Sequence, residues 1–196
     1  SGIFIDSGNQ ETELLYDYQL MTYPVTIGQY LVFLNEADES GILTITANKI
    51  KGYVSIDENL NEFISYGNSS SVHNIGAISI ENNQFIAIDS SYIHHPITGV
   101  TLYGAIAFAE YYSMRLPTVL EWEKVARGMD GYFYPWSNYN DASHSNFYES
   151  GDPWEPGTTP VGYYNGINNG TIDSPSPYGA YDMAGNVWEW TSDINS

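Results

Sequence analysis

The spacing of apolar residues marks three helices and a series of short strands. Ile27, Tyr30, Leu31 and Leu34 recur at i, i+3, i+4 and i+7, which puts them on one helical face. Residues 27–37 are therefore predicted helical, with Thr26 placed to cap the first turn. A second helix is predicted from Thr101 through about Ser113. Gly104, Ala105, Ala107 and Ala109 leave room there for close packing, and Ile106 and Phe108 supply larger contacts. Arg115-Leu116-Pro117 reads as an extended connector. Thr118-Val119-Leu120-Glu121 then has the form of a capping box, opening a third helix that runs to Arg127 and ends at Gly128. Glu123 stands four residues before Arg127, the spacing of a helical ion pair.

Between the helices the pattern is that of strands. Gly2 to Gly8 predicts a short strand and a turn, and Leu14 to Thr26 a second strand leading into the first helix. Residues 40–98 are β-rich runs separated by Asn, Ser and Gly. Within them Ile75–Ile80 and Phe85–Ile88 flank Glu81-Asn82-Asn83-Gln84 and predict a hairpin. Lys49 and Lys51 read as solvated charges at a strand edge. From Asp130 to Tyr181 no period is visible and no long regular element is predicted. A loop of that length is either functional or tied down. It contains Asn146, Glu149, Asp152 and Glu155, so a bound metal is a reasonable tie.

Composition narrows the class. At 196 residues the chain suits one large domain or two small ones, and 42% hydrophobic content makes it a folded protein. Lys and Arg total five against 24 Asp and Glu, a formal charge of −19. Such a field repels phosphate backbones and anionic membranes, so nucleic-acid binding is not expected. No run approaches the ~18 apolar residues of a membrane span. The absence of cysteine excludes thiol nucleophiles, disulfides and Cys-ligated metals within this sequence. The chain begins Ser-Gly without Met, and the expectation is a processed terminus with any signal peptide already removed. Two sequons, Asn68-Ser69-Ser70 and Asn169-Gly170-Thr171, are no more than a Ser- and Asn-rich chain would contain by chance.

The densest candidate chemistry lies in Ser176 to Trp190, with two Tyr, two Trp, two Gly and two carboxylates. Gly179 and Gly185 bend the backbone, and Asp182 and Glu189 flank the second bend. That is a hard-cation site in outline. On spacing alone the plainer reading is preferred, a turn with two solvated acids before a buried strand, since calcium needs about six to eight oxygens and two carboxylates do not make a site. Elsewhere the signals are plain. His94 and His95 are adjacent and would face opposite ways on a strand; with His73 and His144 they read as loop or packing histidines. Glu121 and Glu123 are two apart on a helix and do not face each other. No Ser-His-Asp order or phosphate loop is present.

Six stretches in order resemble the blocks of the formylglycine-generating-enzyme, or sulfatase-modifying-factor, family. Thr22-Tyr23-Pro24-Val25-Thr26, Tyr30 and Phe33-Leu34-Asn35 resemble its opening block. His95-Pro96-Ile97 with Val100-Thr101-Leu102-Tyr103-Gly104-Ala105 follows. Then come Arg115-Leu116-Pro117-Thr118, Glu121-Trp122-Glu123 and Ala126-Arg127-Gly128; Tyr134-Pro135-Trp136; Thr159-Pro160-Val161-Gly162; and Tyr178-Gly179 with Tyr181 through Trp190. The blocks span about residues 15–193, and residues 40–90 match none of them, which suggests an insertion in a single domain covering 1–196.

The resemblance implies an α+β, variant C-type-lectin fold with little regular secondary structure. It also implies calcium. One family site uses the ends of D/N-x-x-G-N-x-W-E with carbonyls between, which here is Asp182, Gly185 (carbonyl), Val187 (carbonyl) and Glu189. A second falls on Asn146, Phe147 (carbonyl), Asp152 and Trp154 (carbonyl), with its spacing to Thr159 one residue off. Trp188 and Trp190 are expected as core anchors. The family includes copper-dependent oxidases that convert a sulfatase cysteine to formylglycine, and also non-catalytic binding proteins. The oxidase cysteines lie beyond the Trp-Glu-Trp block, where this sequence ends at Ser196, so no copper is expected. The reading that follows is a non-catalytic, calcium-stabilised binding or structural domain, extracellular or at the cell surface, with a protein or glycan ligand or copies of itself as partner. The alternative is a fragment of a formylglycine-generating-type oxidase, or of a related non-haem iron enzyme, whose catalytic segment lies beyond Ser196. The Tyr-, Asn-, Ser- and Gly-rich loops favour the first, because that composition suits adaptable recognition.

Overall fold

In a computed structural model, residues 2–46, 49–64 and 78–193 are described, and they form two units. One is the continuous stretch 25–116. The other joins residues up to Pro24 with Pro117 onward. His73, the Asn68 sequon and residues 75–77 of the expected hairpin lie outside the described residues.

The continuous unit is built on helix α1, Ile27–Glu39, and helix α2, Leu102–Tyr111. Thr26 caps α1 as its sequence requires. Its hydroxyl accepts from Gln29 N–H, and the Gln29 side chain returns the bond to Thr26 N–H. The predicted apolar stripe is buried: Ile27, Tyr30, Leu31, Phe33, Leu34 and Ala37 face one core with Phe63 and Phe108. Aromatic rings dominate it, Tyr30 stacking on Phe108 at 5.7 Å and Phe33 meeting Phe63, Phe108 and Tyr111. Gly104 on α2 makes this possible. A Cβ there would sit 2.1 Å from the Phe63 carbonyl oxygen, and the Tyr30 hydroxyl donates to the Gly104 carbonyl.

Three short antiparallel strands, β3 (Thr44–Thr46), β4 (Lys49–Val54) and β5 (Asp57–Glu62), form a sheet with β4 in the centre. Lys49 is therefore not on an edge strand. It lies on the middle one and pairs with Glu62 of β5 at 2.7 Å, an exposed contact of small energetic weight. Strands β6 (Ile78–Glu81) and β7 (Gln84–Ala87) make the hairpin expected near residue 82. Its turn is tighter than the predicted four-residue loop. Glu81 and Gln84 are already paired, and Asn82 and Asn83 both take positive φ, +51° and +60°, as a primed two-residue turn requires. The Asn35 amide holds this hairpin to α1, donating to the Phe85 carbonyl and accepting from Phe85 N–H. His95 is fully buried against Tyr92, a packing histidine, while His94 is exposed.

The other unit opens with a hairpin, β1 (Gly2–Ile5) and β2 (Glu11–Leu14). The second strand thus ends where the sequence pattern begins it. The turn decides this: the Asp6 carboxylate accepts from Gln10 N–H and from the Thr12 hydroxyl, fixing Ile5 opposite Glu11 and Gly2 opposite Leu14. Leu14 is the last residue paired with β1, and residues 15–25 run irregularly. Helix α3, Val119–Arg127, begins with the expected capping box, Thr118 N–H donating to Glu121 Oε2 at 2.7 Å. The pair Glu123–Arg127 also forms at 2.7 Å, and the same guanidinium donates to the carbonyls of Gly131 and Tyr132. A small core gathers Val125, Ala126, Ala180 and Met183. From residue 130 to 193 no helix or strand occurs among the described residues. No helix of the described residues is long and apolar enough to cross a membrane.

Gly104 gives the fold its sharpest test. Gly104→Ala should lower stability by about 2–3 kcal/mol through overpacking, read by urea denaturation. An unchanged midpoint would disprove the close approach.

Candidate functional site

The loop 182–189 is held by polar bonds to two distant stretches of its own unit. Asp182 takes φ +59° and Asn186 φ +60°, left-handed conformations that Asp and Asn tolerate better than most residues. Gly185 lies between them. A Cβ at Gly185 would sit 2.3 Å from the Asn146 carbonyl oxygen, so the loop rests directly on that residue. The same Asn146 carbonyl accepts from Asn186 N–H at 2.9 Å. The Asn186 amide then grips Thr159 at both ends, accepting from its N–H and donating to its carbonyl. Thr159 is fully buried, so these bonds complete a backbone that water cannot reach.

The two acids face different surroundings. Asp182 Oδ2 accepts from Gly162 N–H at 2.6 Å, and burial nonetheless pushes its carboxyl up to about 6. Glu189 Oε2 accepts from the Trp122 indole at 3.0 Å. Desolvation, with the nearby charge of Asp182 as a smaller cause, raises it to about 7. Glu189 keeps an exposed side although its carboxylate is crowded by protein, so Asp182 is the more deeply desolvated residue of the two. No cation is among the groups acting on either carboxylate. Asp182 is close enough to Glu189 to repel its charge, so the sequence-distant ends of the loop share one neighbourhood.

The remaining expected ligands are placed as follows. Gly185's carbonyl accepts from Val187 N–H in a tight turn, which leaves it a second lone pair. Asn146 is buried, with its amide nitrogen donating to the Gly157 carbonyl. The Phe147 carbonyl accepts from Ser150 N–H. Asp152 is occupied locally, Oδ1 accepting from Trp154 N–H and Oδ2 from the Ser150 hydroxyl, both at 2.8 Å. The structure thus ties Asn146 to the 185–186 bend and Asp152 to its own turn. Among the described residues no three acidic or histidine side chains converge as a metal-binding group. A cation at the 182–189 loop would need backbone carbonyls beside the two carboxylates, which is how calcium often completes its shell. Those donors are hard oxygens, the type that calcium takes.

The expectation of tryptophan core anchors does not hold. Trp188 is fully exposed and Trp190 is 49% exposed. The polar bonds to Asn146 and Thr159 hold the loop, and Met183 and Ala180 supply buried contacts beside it. Sequence reasoning also missed Asn186 and Thr159 as the fastening, although Asn186 stood inside the motif. His144 lies in neither site: it stacks on Trp136 at 5.3 Å and pairs with Asp141 at 3.0 Å.

A family model for the sulfatase-modifying factor enzyme 1-like domain matches residues 6–196. The sequence is 40% identical over 109 residues to serine/threonine-protein kinase pkn1 of Chlamydia pneumoniae, covering 55% of this chain and 15% of that one. It is 35% identical over 111 residues to the formylglycine-generating enzyme of Thermomonospora curvata, 51% of this chain and 34% of the relative. It is also 35% identical over 106 residues to inactive C-alpha-formylglycine-generating enzyme 2 of Bos taurus, 51% and 33% respectively. The matched region is therefore about a third or less of each relative's length.

Two outcomes are expected. Asn186→Ala leaves the Thr159 N–H and carbonyl buried and unpaired and should cost about 2–4 kcal/mol in urea denaturation; a loss below about 0.5 kcal/mol would show that the grip is unimportant. Both carboxyls are raised in the folded chain, so the native state holds protons that the unfolded chain releases. Their contribution is full at pH values below about 4 and is lost as pH rises through about 6 to 7. Without divalent cations, the melting temperature should therefore fall from pH 5 to 7.5, and a rise over that interval would contradict the placement of the acids.

Proposed function

The chain belongs to the sulfatase-modifying factor enzyme 1-like family, and on that premise we propose that it is a non-catalytic, calcium-stabilised domain that binds a ligand outside the cell. The observation that carries the proposal is the pair Asp182 and Glu189. The loop gathers two carboxylates, crowds them until both resist ionisation, and sets no cation against them. A protein with a formal charge of −19 gains from an ion that offsets such repulsion. Calcium would be held by the Asp182 and Glu189 carboxylates with the carbonyls of Gly185 and Val187. Asn146, Phe147, Asp152 and Trp154 form the second set. Its chemistry there is structural: it neutralises the acids and pins the bend. Extracellular calcium, at levels that saturate modules with dissociation constants near 10⁻⁴–10⁻³ M, suits this role. The fold in this reading is the variant C-type-lectin form of the family's α+β domain.

Exposed aromatic side chains support a binding role. Trp188, Tyr148 and Phe133 all present most of their surface to solvent. Such rings stack on sugars or bury at protein contacts, so the partner is a glycan, a protein or further copies of the chain. That one relative carries the name of an inactive formylglycine-generating enzyme is consistent with a non-catalytic member. The rival reading, part of a formylglycine-generating-type oxidase, draws on the 35% identity to an enzyme of that name. With no cysteine in this sequence, any thiol chemistry would have to come from residues outside it.

The test compares melting at neutral pH in millimolar calcium and in chelator. Occupancy at about 100 times the dissociation constant adds about 2.7 kcal/mol, or roughly 5–10 °C for a chain of this size. Coincident melts would reject calcium stabilisation.

A further inference from the structure

A cleft of about 350 Å³ opens in the unit that joins residues up to Pro24 with Pro117 onward, a volume within the range of small-ligand sites. Three stretches wall it: Asp17–Thr22, the middle of α3, and the turn Tyr178–Ala180. Cross-bonds fix the walls to one another. The Tyr18 hydroxyl donates to the Glu121 carbonyl of α3 at 2.9 Å, and Tyr181 N–H donates to the Thr22 carbonyl at 2.8 Å. Pro177 rests on Gly128 at the end of α3, where a Cβ would meet the proline ring at 2.7 Å. The turn is closed on itself, Ser176 N–H donating to the Ala180 carbonyl and Gly179 N–H to the Ser176 carbonyl. A cleft braced in this way is formed before a ligand arrives, so binding needs little ordering of its walls.

The lining selects the charge of the ligand. Leu20, Val125 and Ala180 supply apolar surface, and Tyr18 and Tyr178 supply two aromatic rings. Tyr18 turns its hydroxyl to Glu121, which does not line the cleft, so the ring is what it offers. Lys124 is buried with its ammonium committed elsewhere. Nζ donates to the Gly2 carbonyl at 2.8 Å and lies over the Phe4 ring, and neither of those residues lines the cleft. Its alkyl stem is therefore its contribution. Asp17, an exposed residue, brings a carboxylate to the lining. Aromatic faces attract cations through the ring quadrupole, and carboxylates form strong charge-assisted hydrogen bonds with them. A chain of formal charge −19 also concentrates cations around itself and repels anions. We propose that this cleft is a binding site for an organic cation, an alkyl ammonium or guanidinium group held against the Tyr18 and Tyr178 rings with Asp17 as its counter-charge. A free amine and a Lys or Arg side chain of a partner protein present the same group. The site stands apart from the calcium reading, since neither Asp182 nor Glu189 lines it.

Titration calorimetry at low salt, with chelator present, tests the site. The probes are agmatine as a free amine and a blocked tripeptide with a central arginine; the controls are the same tripeptide with a central glutamine, and glucose. At least one cationic probe should bind at a single site, and its affinity should fall as salt is added. The glutamine peptide and glucose should give no saturable signal. Asp17→Asn should weaken the cationic probe about tenfold, and Tyr178→Ala about fivefold. Both residues are exposed, so each variant should melt with the parent, which separates lost binding from lost folding. Tighter binding of the peptide than of agmatine identifies a partner's side chain as the source, and the reverse order identifies a free amine; either upholds the site. If neither cation binds at millimolar concentration, the proposal is overturned. It is overturned equally if both variants bind as the parent does, because the cation then sits on the acidic surface at large, or if glucose or the glutamine peptide binds as well as the cations.

Discussion

A primary amide can do in one side chain what a neighbouring strand does along its edge, offering a donor and an acceptor to the N–H and carbonyl of a single residue. This protein uses the device at a decisive place in each unit. Asn35 pairs with Phe85 and holds a hairpin to the helix that carries the aromatic core. Asn186 pairs with Thr159 and holds two irregular stretches together where neither could supply a ladder. Buried backbone groups must find partners. Without these amides, residues 130–193 would have no evident way to bring a fully buried Thr159 out of water, because that region contains neither helix nor strand.

The scarcity of positive charge shapes the rest of the chemistry. The basic residues near the acidic loop's own elements are already committed. Arg127 serves Glu123 and two carbonyls, and Lys124 donates to the Gly2 carbonyl while lying over the Phe4 ring. Asp182 and Glu189 are left to backbone and indole N–H groups, which soften but do not cancel the cost of charging them. The contrast with Asp141 is instructive. Three hydrogen bonds from Ser143 and His144 at an open position hold that carboxyl well below the usual range. Two acids in one irregular region thus behave in opposite ways, because one is crowded and the other is fully served by donors.

The helices were readable in the sequence because their signals are local. Thr26 with Gln29 and Thr118 with Glu121 satisfy orphan amides within one turn, and the apolar period names the buried face. Strand limits were less readable. The extent of β2 depends on a turn built by the Asp6 side chain, and the centrality of β4 depends on partners on both sides. In the candidate site, the family motif singled out Asp182 and Glu189, and the structure shows both carboxyls raised by burial. It did not reveal that Trp188 faces solvent, since aromatic density marks cores and surfaces alike. The hold of Asn186 on Thr159 spans 27 residues without a period or spacing rule to announce it.

The division of the chain into a continuous stretch and a split one has a consequence for how the molecule is made. Residues 25–116 can complete their contacts as soon as they leave the ribosome, with helix, hairpin and aromatic core all drawn from one segment. The first hairpin cannot finish in that way. The bond from Lys124 to the Gly2 carbonyl joins residues 122 apart. The N-terminal strands must therefore wait through the synthesis of an entire unit before their partner exists. Closing so long a loop costs little more than closing one half its length, but it delays the reward, and the exposed edges of β1 and β2 are unprotected during that interval. Strands β1 and β2 are thus made before the continuous unit and secured only after it.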